Sequence, residues 1–175
     1  MSVQQNIAMG AMLIPMAVSI AYMDVRYRRI PNKLVLVTLV GGLAINTFFD
    51  GGRGLLVSLG GCVLAFGLMF MFHAFGTMGA GDVKLFAAIG AAIGSPLVLK
   101  AFLIVSITGG ILAFGKMIYK RRTRTTVFGV LRFFYGLLPG QRVPRFEVPV
   151  DRSYTLPYGV AICAGSLIAF FVFTA

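Results

Sequence analysis

The chain has 175 residues, 58% of them hydrophobic and only 12% charged, with a mean hydropathy of +0.91. A soluble domain carries about 25% charged residues to wet its surface, so this composition rules out an ordinary globule and makes lipid the solvent for much of a single-domain chain, residues 1–175. Sixteen Lys and Arg against five acids give a net charge of +11, but the bases stand in short loops between apolar runs, a membrane-topology pattern and not a nucleic-acid-reading surface.

A helix needs about 20 apolar residues to cross the hydrocarbon core. In chain order the candidates run from about Ile7 to Met23, Leu34 to Phe49, Leu55 to Phe75, Asp82 to Gly94, from after Pro96 to Tyr119, and Leu156 to Phe173. The expected fold class is therefore all-α and polytopic, with about six transmembrane helices. The opening MSVQQNIAMG lacks the basic stretch of a cleavable signal peptide, so the first run is expected to be a retained span. The fourth is short: at 1.5 Å per residue it rises only ~21 Å. It follows Gly76, Gly79 and Gly81, and irregular backbone at membrane depth survives only where protein or a wet cavity covers it. A protein-lined pocket at that end is the expectation.

Lys and Arg set the orientation. Arg26, Arg28, Arg29 and Lys33 follow the first run, and a long basic segment from Lys116 to Arg152 follows the fifth, whereas the other side holds only Arg53 and Lys100. The bias predicts an inner-membrane, multi-pass protein with both termini outside and a cytoplasmic loop at about 120–153. Within that loop Val127, Leu131, Phe134 and Leu138 recur on one helical face. The stripe reads equally as a helix on anionic inner-leaflet lipid or as one packed on the spans.

The five acids are informative by position. Asp50 falls in the turn Asp50-Gly51-Gly52-Arg53, and Glu147 and Asp151 lie in the basic loop, where solvation accounts for them. Asp24 and Asp82 instead fall at the cytoplasmic ends of apolar runs. Ionisable groups there are costly and often mark function. Two carboxylates in one site share a proton, and such a pair can hold and deprotonate a water and then protonate a leaving amine. The plain alternative is that Asp82 caps a helix and Asp24 pairs with Arg26 at the interface. Cys62 and Cys163 read as buried apolar side chains, and with His73 as the sole histidine no zinc set can be assembled. No metal or cofactor is expected.

Around the second acid the chain reads Met78-Gly79-Ala80-Gly81-Asp82-Val83-Lys84-Leu85, which resembles the Gly-x-Gly-Asp motif of intramembrane aspartic peptidases in its prepilin-peptidase wording. The segment Asp24-Val25-Arg26-Tyr27-Arg28-Arg29-Ile30-Pro31-Asn32 is similar to that family's first catalytic segment, and Leu156-Pro157-Tyr158-Gly159 to the element opening its last span. The resemblance covers the six-run layout. It implies Asp24 and Asp82 as the catalytic dyad, with Gly79, Gly81, Lys84, Arg26, Pro31 and Asn32 shaping the site, and Lys84 either supports a carboxylate or snorkels to the interface. It also implies removal of a short basic leader from type IV prepilin-like substrates at the cytoplasmic face. The paired Cys-x-x-Cys segment of larger members is not found here, so the chain resembles the small peptidases of tight-adherence (Flp-type) pilus systems. Read from the residues alone, a small transporter or a structural subunit of a pilus or secretion machine stays open.

Overall fold

A computed structural model of the chain describes residues 2–76, 78–119 and 158–174. These form five helices: α1 (Val3–Tyr27), α2 (Asn32–Ala74), α3 (Ala80–Ile93), α4 (Ser95–Tyr119) and α5 (Tyr158–Thr174). Three of them, α1, α2 and α4, are long and apolar enough to cross a membrane. Large apolar side chains such as Val18, Val63, Leu103 and Ile107 point outward, as a lipid-facing bundle requires. The expected loop at about 120–153, with its one-faced stripe, lies outside the described residues.

Local chemistry sets the helix ends. Ser2 Oγ accepts the Gln5 N–H while Gln5 Oε1 accepts the Ser2 N–H, both at 3.2 Å, a reciprocal cap that starts α1 four residues before the first apolar residue used to predict it. At the other end Arg28 turns left-handed, φ 53°, and its N–H donates to the Asp24 carbonyl at 3.0 Å. Extended backbone at Pro31 then opens α2.

The second and third apolar runs merge into one helical element, α2, interrupted only at Gly51, where φ 58° and ψ −138° break the helix. Side chains so rarely take that geometry that glycine is the residue for it. Its two limbs, 32–50 and 52–74, both reach α3. A Cβ on Gly42 would stand 2.7 Å from Ala92 Cα, and one on Gly90 would stand 2.6 Å from the Gly61 carbonyl oxygen. Backbone therefore packs on backbone along both limbs.

Helix α3 is the buried centre, with Val83, Leu85 and every residue from Phe86 to Ile93 inside. Its C-terminal carbonyls would be orphaned in an apolar setting. Side chains from both α2 limbs satisfy them instead: Asn46 Nδ2 donates to the carbonyls of Ala91 and Ala92 at 3.0 and 3.1 Å, and Ser58 Oγ to that of Ala91 at 2.6 Å. That is how a 14-residue helix can end inside the bundle. Asp50 adds to the sequence reading in the same region. Beyond the turn chemistry, its exposed side chain accepts at Oδ2 from Gln5 Nε2 at 2.9 Å and ties α1 to the break in α2.

Candidate active site

Asp24 and Asp82 meet at the bundle end where α1 finishes and α3 begins. Asp24 sits in the last turn of α1 and is 7% exposed. Asp82, half-buried, stands in the first turn of α3, at the mouth and outside the three membrane-spanning helices. Its Oδ2 accepts the Gly79 N–H at 3.3 Å. Burial, and after it the nearby Asp24 carboxylate, push Asp82 up to about 6. Asp24 and Asp82, one from each motif, thus stand near enough for the charge of one to act on the other.

The start of α5 closes the site. The N–H groups of Gly159 and Val160 point at the Asp24 carboxylate, and Tyr158 lies near enough to Asp82 to feel its charge. A Cβ on Gly159 would stand 2.7 Å from Asp24 Oδ2, so only glycine leaves room there. That oxygen is buried and has no hydrogen-bond partner among the described residues. An orphan carboxylate oxygen beside a second carboxylate is suited to a shared proton or a bound water.

The remaining predicted residues divide into two groups. Gly79 caps α3 beside Asp82, and Gly81 packs on Ile30, whose Cβ lies 3.7 Å from where a Gly81 Cβ would be. Ile30 is the residue before Pro31, so the two motifs abut. Pro31 is half-buried and its carbonyl accepts the Leu34 and Val35 N–H groups, which makes it a helix-opening residue near the site. By contrast Lys84, Arg26 and Asn32 are exposed. The base whose charge acts on Asp24 is Arg28, and not the Arg26 of the plain interfacial-pair alternative. His73 Nδ1 lies 2.8 Å from the Met78 carbonyl oxygen, tying the end of α2 to the Gly-rich turn. Tyr158, Gly159 and the buried Cys163, which lies close enough to Asp24 to sense its charge, form a wall that the two Asp motifs do not announce. No group of three metal-ligating side chains forms among the described residues.

These features define a helical membrane protein with a carboxylate pair at one end of its bundle. The chain belongs to the type IV leader peptidase family, whose model matches residues 11–114, a stretch that holds both Asp24 and Asp82. No curated protein and no solved structure gives a significant match.

Proposed function

We propose that this chain is an aspartic endopeptidase that removes the short basic leader of type IV, Flp-type prepilins and pseudopilins at the cytoplasmic face of the inner membrane. The observation that carries the reading is the meeting of Asp24 and Asp82 against the start of α5. Both limbs of α2, with α3 and α5 beside α1 and α4, supply six helical segments, and this reading puts Asp24 and Asp82 at their basic, cytoplasmic mouth with both termini outside.

The chemistry follows from the pair sharing one proton. The ionised carboxylate takes a proton from a water held between the two, and the resulting hydroxide adds to the scissile carbonyl. The protonated carboxyl then donates to the leaving amine as the C–N bond breaks, and the pair ends the cycle with one proton again. A precursor presents an apolar helix behind a charged leader, so its scissile bond rests at the membrane surface, where Asp82 lies. Gly79 and Gly81 let an extended backbone come close.

Co-expression with a prepilin from the same genome, followed by the precursor's mass, tests this. Leader removal by the parent chain, and loss of it in both Asp24→Asn and Asp82→Asn at equal membrane abundance, is the expected result. Continued cleavage by either variant would reduce that aspartate to a structural role, and cleavage absent from the parent would turn attention to transport or scaffolding within the pilus machinery.

A further inference from the structure

Opposite the carboxylate pair the bundle contains a second polar place. Gln5 stands nineteen positions before Asp24 on α1, roughly 28 Å away at 1.5 Å per residue. There the α1 start, the α2 break, the α3–α4 junction and the α5 end surround a partly open cavity of about 330 Å³, in the size range of ligand pockets. Its polar lining comes from Gln5, Asn6, Asn46, Asp50 and Thr174, whose hydroxyl donates to the Phe170 carbonyl.

The hydrogen-bond inventory of that lining is lopsided. Gln5 Nε2 gives its two hydrogens to Asn46 Oδ1 and Asp50 Oδ2, at 3.1 and 2.9 Å. Asn46 Nδ2 gives both of its own to carbonyls of α3. Asn6 Nδ2 donates to the Thr174 carbonyl at 3.0 Å, which orients the amide and leaves Asn6 Oδ1 buried and without a partner among the described residues. Both hydrogens of Gln5 and both of Asn46 are thus consumed, one of Asn6's remains, and the open acceptors are Asn6 Oδ1 and a carboxylate, so the complementary ligand is a donor-rich cation. Beside the cavity wall Lys100 Nζ rests 4.4 Å from the ring centre of Phe173, which lines the cavity, and so offers a cation for an anionic group. An ammonium joined to a phosphate by a short linker meets both requirements.

We propose that this cavity binds a phosphoethanolamine group, its primary ammonium held by Asp50 and Asn6 and its phosphate by Lys100, with the membrane's own aminophospholipid as the source. The site is independent of the peptidase reading, and its test does not measure cleavage.

Full-length protein in mild detergent, washed free of lipid, is titrated with phosphatidylethanolamine, phosphatidylcholine or phosphatidylglycerol, and the bound lipid is counted by native mass spectrometry. Hydrogen bonds to a charged donor that choline lacks should favour the ethanolamine lipid by about tenfold. Asp50→Asn keeps an acceptor for Gln5 and should abolish that preference. The exposed Lys100→Gln, which leaves the fold alone, should weaken ethanolamine and choline lipids alike. Displacement of the lipid by water-soluble phosphoethanolamine at matching concentration would assign the same site to a soluble source. Equal retention of all three lipids, an unchanged preference in Asp50→Asn, or undiminished binding in Lys100→Gln would overturn the proposal.

Discussion

Gly159 and Asp24 touch across the α1–α5 interface so closely that a methyl group at position 159 would stand 2.7 Å from Asp24 Oδ2 and 3.0 Å from its Cγ. One of the two must then move. On the proposed function, Gly159→Ala is expected to lower prepilin cleavage at least about tenfold, because displacement of a catalytic group by ~1 Å costs up to about 100-fold. Gly110→Ala, at a helical position with open space around it, should leave cleavage unchanged. Time courses of leader removal at equal membrane abundance compare them, and equal rates would mean that the Asp24 position is not critical.

The two acids were legible in the sequence because an apolar chain with five acidic residues makes each one conspicuous. Leu156-Pro157-Tyr158-Gly159 is legible as the opening of the last helix, but that Gly159 lies against Asp24 follows only from the packing of α1 on α5. Asn46 and Ser58 were also overlooked, though polar residues inside apolar runs carry a signal: each must find a partner in lipid-like surroundings. The break at Gly51 was read as an ordinary turn, since Asp50-Gly51-Gly52-Arg53 carries turn chemistry. That reading correctly divided the two runs, yet it missed the interhelical bond that Asp50 makes.

Asn46 bridges three elements through Gln5 and the last carbonyls of α3. Asn46→Leu fills similar space but strips the Ala92 carbonyl of its donor and Gln5 Nε2 of an acceptor, while Ser58 still serves the Ala91 carbonyl, at about 1–3 kcal/mol for each orphaned group. Thermal unfolding in detergent should show a clear loss, and Ser58→Ala, which removes one bond to a carbonyl that Asn46 also serves, a smaller one. If Ser58→Ala proved the more damaging, the carbonyls of α3 would not be what Asn46 protects.

Burial, and after it the Asp24 charge, push Asp82 up to about 6 in the folded protein, above the usual carboxylate value of 3.8. Between those two values the folded state keeps a proton that the unfolded chain has released, so stability falls as pH rises through that window and levels off above it. The full cost is at most about 3 kcal/mol, and solvent at the mouth of the site reduces it. Asp82→Asn cannot ionise. It should therefore match the parent chain near the acid end of the window and melt at a higher temperature than the parent at neutral pH. Melting curves taken across the window check this, and parallel curves for the two proteins would mean that Asp82 is not the group responsible.

Gly51 offers a test of how α2 folds back. Its φ of 58° is one that side chains rarely adopt, yet an added Cβ would meet nothing within 4 Å, so any cost of Gly51→Ala is purely one of backbone conformation. About 1–3 kcal/mol is expected. Gly52 also has open space but no positive φ, so Gly52→Ala should be neutral or stabilise by about 0.5–1 kcal/mol through the unfolded state. The contrast between neighbours separates strain from packing. The break lies far from Asp24 and Asp82, so Gly51→Ala protein that remains folded should cleave prepilin at the parent rate. A loss of cleavage in folded Gly51→Ala protein would instead show that the two limbs transmit their alignment through α3 to Asp82.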